Sequence, residues 1–274
     1  MSWVRVRGFG CFVAEFGSGD RTIVLIHGWC SDSTDWVDQI SAFAGDARVV
    51  TLDLRGHGHS ERTASGYGSV DLAEDVIAVL DHLGLSDNHL VGHSLGGIIA
   101  DLVAVRRPDL VRSVLLIDPA YGQPEEWEGR VRAIIGDPAS ADSAERAAVA
   151  ADLEPEIHNS VTAARRTRRR LQALALGPEV VWQTFAGMWC GEDAPGLRPQ
   201  TERAIRERRR PTLCIYAHEP TYTWESHLVD VLGLDTRVEL WTGVTHFLHQ
   251  DDPKQFNDVA SAWFEANQAA RGAR

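Results

Sequence analysis

The sequence predicts an α/β fold: a mostly parallel central sheet with helices on both faces and a helical cap insertion. Three observations carry that expectation. Short strand-like runs, at 22–26, 49–52, 88–91, 113–117, 211–216 and 237–241, mostly alternate with helix-like stretches instead of following one another through hairpin turns, the pattern of stacked β-α-β units. The chain has 274 residues, 44% of them hydrophobic, enough for one large domain with a substantial core. The alternation stops between residues 122 and about 206, a stretch rich in Ala, Arg and Glu with no clear strand, and then resumes.

The elements follow in order. Residues 3–27 read as three strands divided by Gly-containing turns at 8–10 and 17–20. After the strand at 49–52, a helix opens at Asp71, with Glu74 three residues on as a D-x-x-E variant of the capping box; Leu72, Val76, Leu80 and Leu83 share one face. The strand at 88–91 leads into a helix over 98–105 that stops at Pro108, and the strand at 113–117 ends in Asp118-Pro119. A helix near 225–231 and a last one with Asp252 as N-cap and Pro253 in its first turn complete the series. The expected division is a core of 1–121 and 207–274 and a cap of 122–206.

Composition excludes several classes. A formal net charge of -12 argues against nucleic acid as a partner, because phosphate contacts need concentrated Lys and Arg. The basic runs at 165–170 and 206–210 are expected to be solvated helix surfaces. The four cysteines, Cys11, Cys30, Cys190 and Cys214, lack C-x-x-C or zinc-like spacing, so neither disulfides nor a metal are expected. The N-terminal stretch lacks the apolar core of a signal peptide, and no run approaches a membrane span; a cytoplasmic protein with no membrane partner is expected.

The chemistry centres on Gly92-His93-Ser94-Leu95-Gly96-Gly97, a G-x-S-x-G motif between a buried strand and a helix, which presents one serine hydroxyl at the tip of a strained turn. Gly92 and Gly96 are expected to supply backbone angles that a side chain forbids, and Gly97 close helix packing. Serine needs a base, and an imidazole oriented by a carboxylate is a competent one near neutral pH. His246, in Gly243-Val244-Thr245-His246-Phe247 after the last strand, is placed to serve. His249 and the pair His57 and His59 lack the further ligands a metal site requires. Two acids compete: Asp118, at the end of the strand beside the elbow strand, and Glu219, next to Pro220; Asp118 is preferred. The N–H groups of Trp29 and Leu95 are positioned for an oxyanion hole. The loop Asp53-Leu54-Arg55-Gly56-His57-Gly58-His59-Ser60 is expected to be structural, and Trp127, Trp182, Phe185 and Trp189 suggest an aromatic lining from the cap.

Together, residues 22–265 resemble the α/β-hydrolase fold. The segment His27-Gly28-Trp29-Cys30, the acid at Asp118, Glu219-Pro220-Thr221-Tyr222 where the fold usually carries G-x-x-D, and the histidine segment at 243–247 are similar to the cofactor-independent 2,4-dioxygenases of 3-hydroxy-4(1H)-quinolones and quinaldines. That resemblance implies ring opening of a 2-alkyl-3-hydroxy-4(1H)-quinolone by O2, giving an N-acylanthranilate and carbon monoxide without any cofactor. His246 is then the base, Asp118 its partner, Ser94 a hydrogen-bonding group, and the partners a small apolar aromatic substrate and O2. His93, Tyr121, Trp182, Phe185, Trp189 and Phe247 are the expected substrate contacts. Leu95 stands where that family has a second histidine and His27 where it has proline, so a serine hydrolase acting on a carboxylic ester or related acyl substrate is the alternative reading. A non-catalytic small-ligand receptor is the third.

Overall fold

The computed structural model describes residues 1–135 and 163–269; the part of the expected cap at 136–162 lies outside them. Eight strands form one sheet: β1 (Ser2–Val6), β2 (Phe9–Phe16), β3 (Arg21–Ile26), β4 (Ala47–Leu52), β5 (Asn88–His93), β6 (Val111–Ile117), β7 (Thr212–Tyr216) and β8 (Thr236–Leu240). Their spatial order is β1-β2-β4-β3-β5-β6-β7-β8. Strands β1 and β2 run antiparallel, and β2 meets β4 antiparallel; every other pairing is parallel. The parallel strands are apolar on both sides because helices cover both faces.

One face carries α1 (Val37–Phe43) and α10 (Pro253–Ala269), which bury Phe43, Phe256 and Phe264 against Ile23, Leu25, Val91 and Leu115. The opposite face carries α2 (Ser69–His82), α3 (Leu95–Arg106) and α8 (Glu219–Leu232), packed on Val24, Ile26, Leu90, Val114 and Cys214. Between β6 and β7 lie α4 (Trp127–Ile135), α5 (Ala163–Leu176), α6 (Pro178–Trp189) and α7 (Arg198–Glu207). A short helix, α9 (Leu248–Asp251), precedes α10.

Two local expectations fail for identifiable reasons. Helix α2 opens at Ser69 behind Gly68, and no side chain caps it. Asp71 instead accepts from the Arg7 guanidinium at 3.2 Å and Glu74 from Arg106 at 2.8 Å, so cross-element ion pairs take the carboxylates that a capping box would use. Helix α8 opens at Glu219, well before residue 225, because Pro220 fits a first helical turn where no N–H bond is required. The last helix behaves as expected: Asp252 accepts from the Gln255 N–H at 2.9 Å.

The second basic run is solvated at Arg206 and Arg209 but not at Arg208. Arg208 is buried, not solvated, and binds Asp101 of α3 through two bonds of 2.8 and 3.0 Å and Glu225 of α8 at 2.6 Å. Glu225 further accepts from the hydroxyls of Tyr121, at 3.0 Å, and Tyr216. This network ties the end of α7, just before β7, to α3 and α8. Removing one partner of such a buried set leaves charge uncompensated. Arg208→Met, which leaves two buried carboxylates facing each other, is expected to cost about 3–5 kcal/mol, against less than about 0.5 kcal/mol for the exposed Arg206→Met; urea denaturation of the two variants checks the difference.

Candidate active site

The elbow sits at the C-terminal end of β5. Ser94 itself has φ 54°, the left-handed region that side chains rarely adopt, and its N–H is held by the Ile117 carbonyl at 2.9 Å. Gly92 and Gly96 are not at positive φ; what they supply is clearance. A Cβ on Gly92 would lie 2.1 Å from the Gly96 carbonyl oxygen, and one on Gly96 would lie 2.1 Å from that of Ile26. Gly97 behaves as its sequence suggests, with Pro119 against it at 2.8 Å.

The histidine arrives from the loop after β8. His246 Nδ1–H donates to Asp118 Oδ2 at 2.6 Å, and the second carboxylate oxygen of Asp118 accepts from the Ala217 N–H at 3.1 Å. Asp118 has φ 39°, so the chain turns sharply at the end of β6 and aims the carboxylate across β7 towards the histidine. Glu219 is exposed in the first turn of α8 and is not brought to the histidine. An imidazole bonded at Nδ1–H to a carboxylate keeps Nε2 as its proton acceptor.

The loop after β3 closes the third side. A Cβ on Gly28 would lie 2.9 Å from His93 Nδ1 and 3.2 Å from Ser94 Cβ, so a larger residue here would push on the elbow. The backbone N–H groups of Trp29 and Leu95 bond to no other described residue, which leaves two donors near the serine. His27, buried, braces the loop: its Nε2 accepts from the Leu54 N–H at 3.0 Å and its Nδ1–H donates to the Gly28 carbonyl at 2.8 Å. The loop at 53–60 is structural, Asp53 accepting from the N–H groups of Ser33 and His59, each at 2.8 Å.

The expected substrate contacts and cap aromatics separate into two sets. Phe185 and Trp127 keep accessible surface, as does Trp29, whose ring lies 4.7 Å from that of Phe185 and whose indole donates to the Val181 carbonyl of α6 at 3.0 Å. Trp182, Tyr121, His93, Trp189 and Phe247 are buried. Tyr121 is turned into the Arg208 network, and Trp182 packs edge-on against Phe185. His93 lies behind the elbow, where its Nε2–H donates to the His246 carbonyl at 2.9 Å.

The first basic run is likewise only partly solvated: Arg170 is exposed, Arg165 and Arg168 are half-buried and Arg169 is buried. Arg168 of α5 binds Asp35 at 2.8 Å, Arg165 lies 3.7 Å from Asp251, and Arg169 stacks 3.8 Å over the Phe247 ring. These residues, spaced i, i+3 and i+4, dock α5 onto the core beside the histidine loop. Asp35 and Asp251 belong to the neighbourhood of the site but carry no motif; only the helical spacing of the arginines hints that one face is engaged. Asp251 also accepts from the Thr245 N–H at 2.6 Å and so fixes the loop one residue before His246.

Three imidazoles near or behind the site are kept neutral. Burial, then the neighbouring His246 and His249, holds His93 well below its ordinary range. Burial lowers His249 to about 3 and His57 to about 3.

Comparison with known proteins places this geometry in context. The family model described as alpha/beta hydrolase fold matches residues 21–196. The dihydrolipoyllysine-residue acetyltransferase component of the acetoin cleaving system of Pseudomonas putida is 40% identical over 104 residues, 38% of this chain and 28% of that protein. The soluble epoxide hydrolase of Corynebacterium sp. (strain C12) is 34% identical over 117 residues, 43% of this chain and 41% of that protein. The chain thus matches less than half the length of these curated relatives. Among solved structures, a thermophilic esterase from Thermogutta terrifontis superposes with a TM-score of 0.80 at 19% identity, covering 97% of each chain, a likeness of fold.

Two outcomes are expected. Asp118→Ala should lower kcat by about 10²-fold or more, whereas Glu219→Ala stays within about twofold of the parent, measured on purified folded variants. Acid should destabilise the fold: His57, His93 and His249 bind protons when unfolded below about 6.5 but resist them when folded, so the unfolded state gains protons as pH falls. Their contribution is complete above 6.5 and is lost as pH falls, for His57 and His249 progressively towards pH 3, each of these two approaching about 1.4 kcal/mol per pH unit. Urea midpoints between pH 7 and pH 5 check the slope.

Proposed function

Because the chain belongs to the alpha/beta hydrolase fold family, we propose that it is a serine hydrolase acting on a carboxylic ester or related acyl substrate. The observations that carry the reading are a serine at φ 54° on the elbow and, from the loop after β8, an imidazole held 2.6 Å from a carboxylate. In this mechanism His246 Nε2 takes the proton of Ser94 as its oxygen attacks the acyl carbon. Asp118 stays ionised and stabilises the imidazolium. The N–H groups of Trp29 and Leu95 receive the developing oxyanion. His246 returns the proton to the leaving alcohol, and a water then hydrolyses the acyl-enzyme by the same steps. Relatives named as hydrolases, among them the epoxide hydrolase, support hydrolytic chemistry for this scaffold. Trp29 and Phe185 favour an apolar acyl or alcohol group.

The second reading is the ring-cleaving dioxygenase, favoured by the acid following β6 and by the exposed Glu219 after β7. There His246 removes the substrate 3-hydroxyl proton, and Ser94 only hydrogen-bonds.

Turnover of p-nitrophenyl esters under air and under nitrogen, beside a 2-alkyl-3-hydroxy-4(1H)-quinolone, separates the two. Oxygen-independent ester hydrolysis, stoichiometric labelling of Ser94 by a fluorophosphonate, and a loss on the order of 10⁶-fold in kcat for Ser94→Ala are expected. Oxygen-dependent loss of the quinolone with release of carbon monoxide, and a Ser94→Ala loss of only about 10–10²-fold, would overturn the hydrolase.

A further inference from the structure

His93 immediately precedes the elbow serine and is 2% exposed, so it is closed off from substrate. Its Nε2 lies 2.9 Å from the backbone carbonyl oxygen of His246. A carbonyl cannot donate, so Nε2 carries the proton and Nδ1 the lone pair. Nδ1 is buried and has no hydrogen-bond partner among the described residues; a Cβ on Gly28 would lie 2.9 Å from it. The His93 ring sits 4.6 Å from that of His246 and 4.8 Å from that of Phe247.

The bond spans three positions of the sheet, from the last residue of β5 to the loop after β8. The local bonds of that loop, Thr245 to Asp251 and Phe247 to Thr245, fix its shape but not its place relative to the serine. Asp118 holds the imidazole from β6. The His93 bond is attached to the nucleophile's own backbone, one residue away.

We propose that His93 is a positioning residue for His246, its Nε2–H pinning the backbone of the histidine loop to the elbow so that base and nucleophile keep their separation. The proposal rests on the serine-hydrolase reading. A displacement of about 1 Å in such a pair costs on the order of 10²-fold in rate, so the effect belongs in kcat. A space-filling role makes a different forecast, because any side chain of similar size would then serve.

The test compares His93→Gln, whose amide reaches about as far as Nε2, with His93→Asn, which stays polar but falls short, and with His93→Leu. With p-nitrophenyl butyrate as probe, His93→Asn and His93→Leu should lose about 10–10²-fold in kcat with KM within about threefold of the parent, and His93→Gln should recover most of the loss. Hydrogen exchange of residues 243–248 should quicken in the Asn and Leu variants and return towards the parent rate in Gln. Combining His93→Asn with His246→Ala should cost no more than His246→Ala alone, since both act through one group. If Leu does not fold, the Asn and Gln pair decides. Equal kcat in Asn and Gln, unchanged exchange at 243–248, or losses that simply multiply in the double variant would overturn the proposal. A parent protein without esterase activity, but with the exchange pattern as described, would remove the hydrolase reading and leave His93 as the pin of this loop.

Discussion

The site depends on how closely the backbone of the elbow approaches its neighbours. Gly96 lies against the Ile26 carbonyl, Gly28 against Ser94 and His93, and Gly97 against Pro119, each at a distance that leaves no room for a Cβ. Strand β3, strand β5 and the turn after β6 therefore meet closely at one end of the sheet, backbone on backbone at Gly92 and Gly96 and against the side chains of His93 and Pro119 at Gly28 and Gly97. This contact allows Ser94 to remain at positive φ, because its N–H bonds Ile117 and its carbonyl accepts from Gly97 and Ala120. The same approach sets the loop that carries Trp29 beside Ser94.

Electrostatics then hold the less local parts in register with that centre. Arg208 closes the base of the cap against α3 and α8, and Arg168 and Arg165 fasten α5 to carboxylates beside the histidine loop. Cations of the segment between β6 and β7 thus meet acids of other elements at two places. Around His246, burial keeps His93 and His249 neutral, so neither places a second positive charge beside the imidazole that would take the proton.

The strands and the elbow were legible because their signals are local: apolar runs of strand length, glycines around one serine, and a proline where a helix must stop. His246 and Asp118 were legible because a parallel sheet collects the ends of its strands along one edge. Angle and space were confused at Gly92 and Gly96, since a sequence does not distinguish a glycine required by φ from one required by a neighbour. In the arginine runs Arg170, Arg206 and Arg209 are exposed as composition suggests, whereas Arg208 is buried and Arg165 and Arg168 are half-buried, because the carboxylates they meet, Asp101, Glu225, Asp251 and Asp35, lie 17 to 133 residues away in the chain. Of the four aromatic residues expected to line the cap, Trp182 and Trp189 are buried, whereas Trp127 and Phe185 keep accessible surface.

By itself the sequence determined the alternation of strands and helices, the position of the nucleophile turn, and the histidine that follows the last strand, because each follows from short-range periodicity, from the angles a residue tolerates, or from the order of strand ends. Only the tertiary structure decided that Asp118 and not Glu219 meets His246, that α2 and α8 begin earlier than their caps suggest, that Tyr121 joins a buried ion network, and that His93 faces the histidine loop. Those outcomes depend on pairings between residues far apart in the chain, whose energies arise from burial, charge compensation and the clearance between backbones, and none of these terms is written in the neighbours of a single residue.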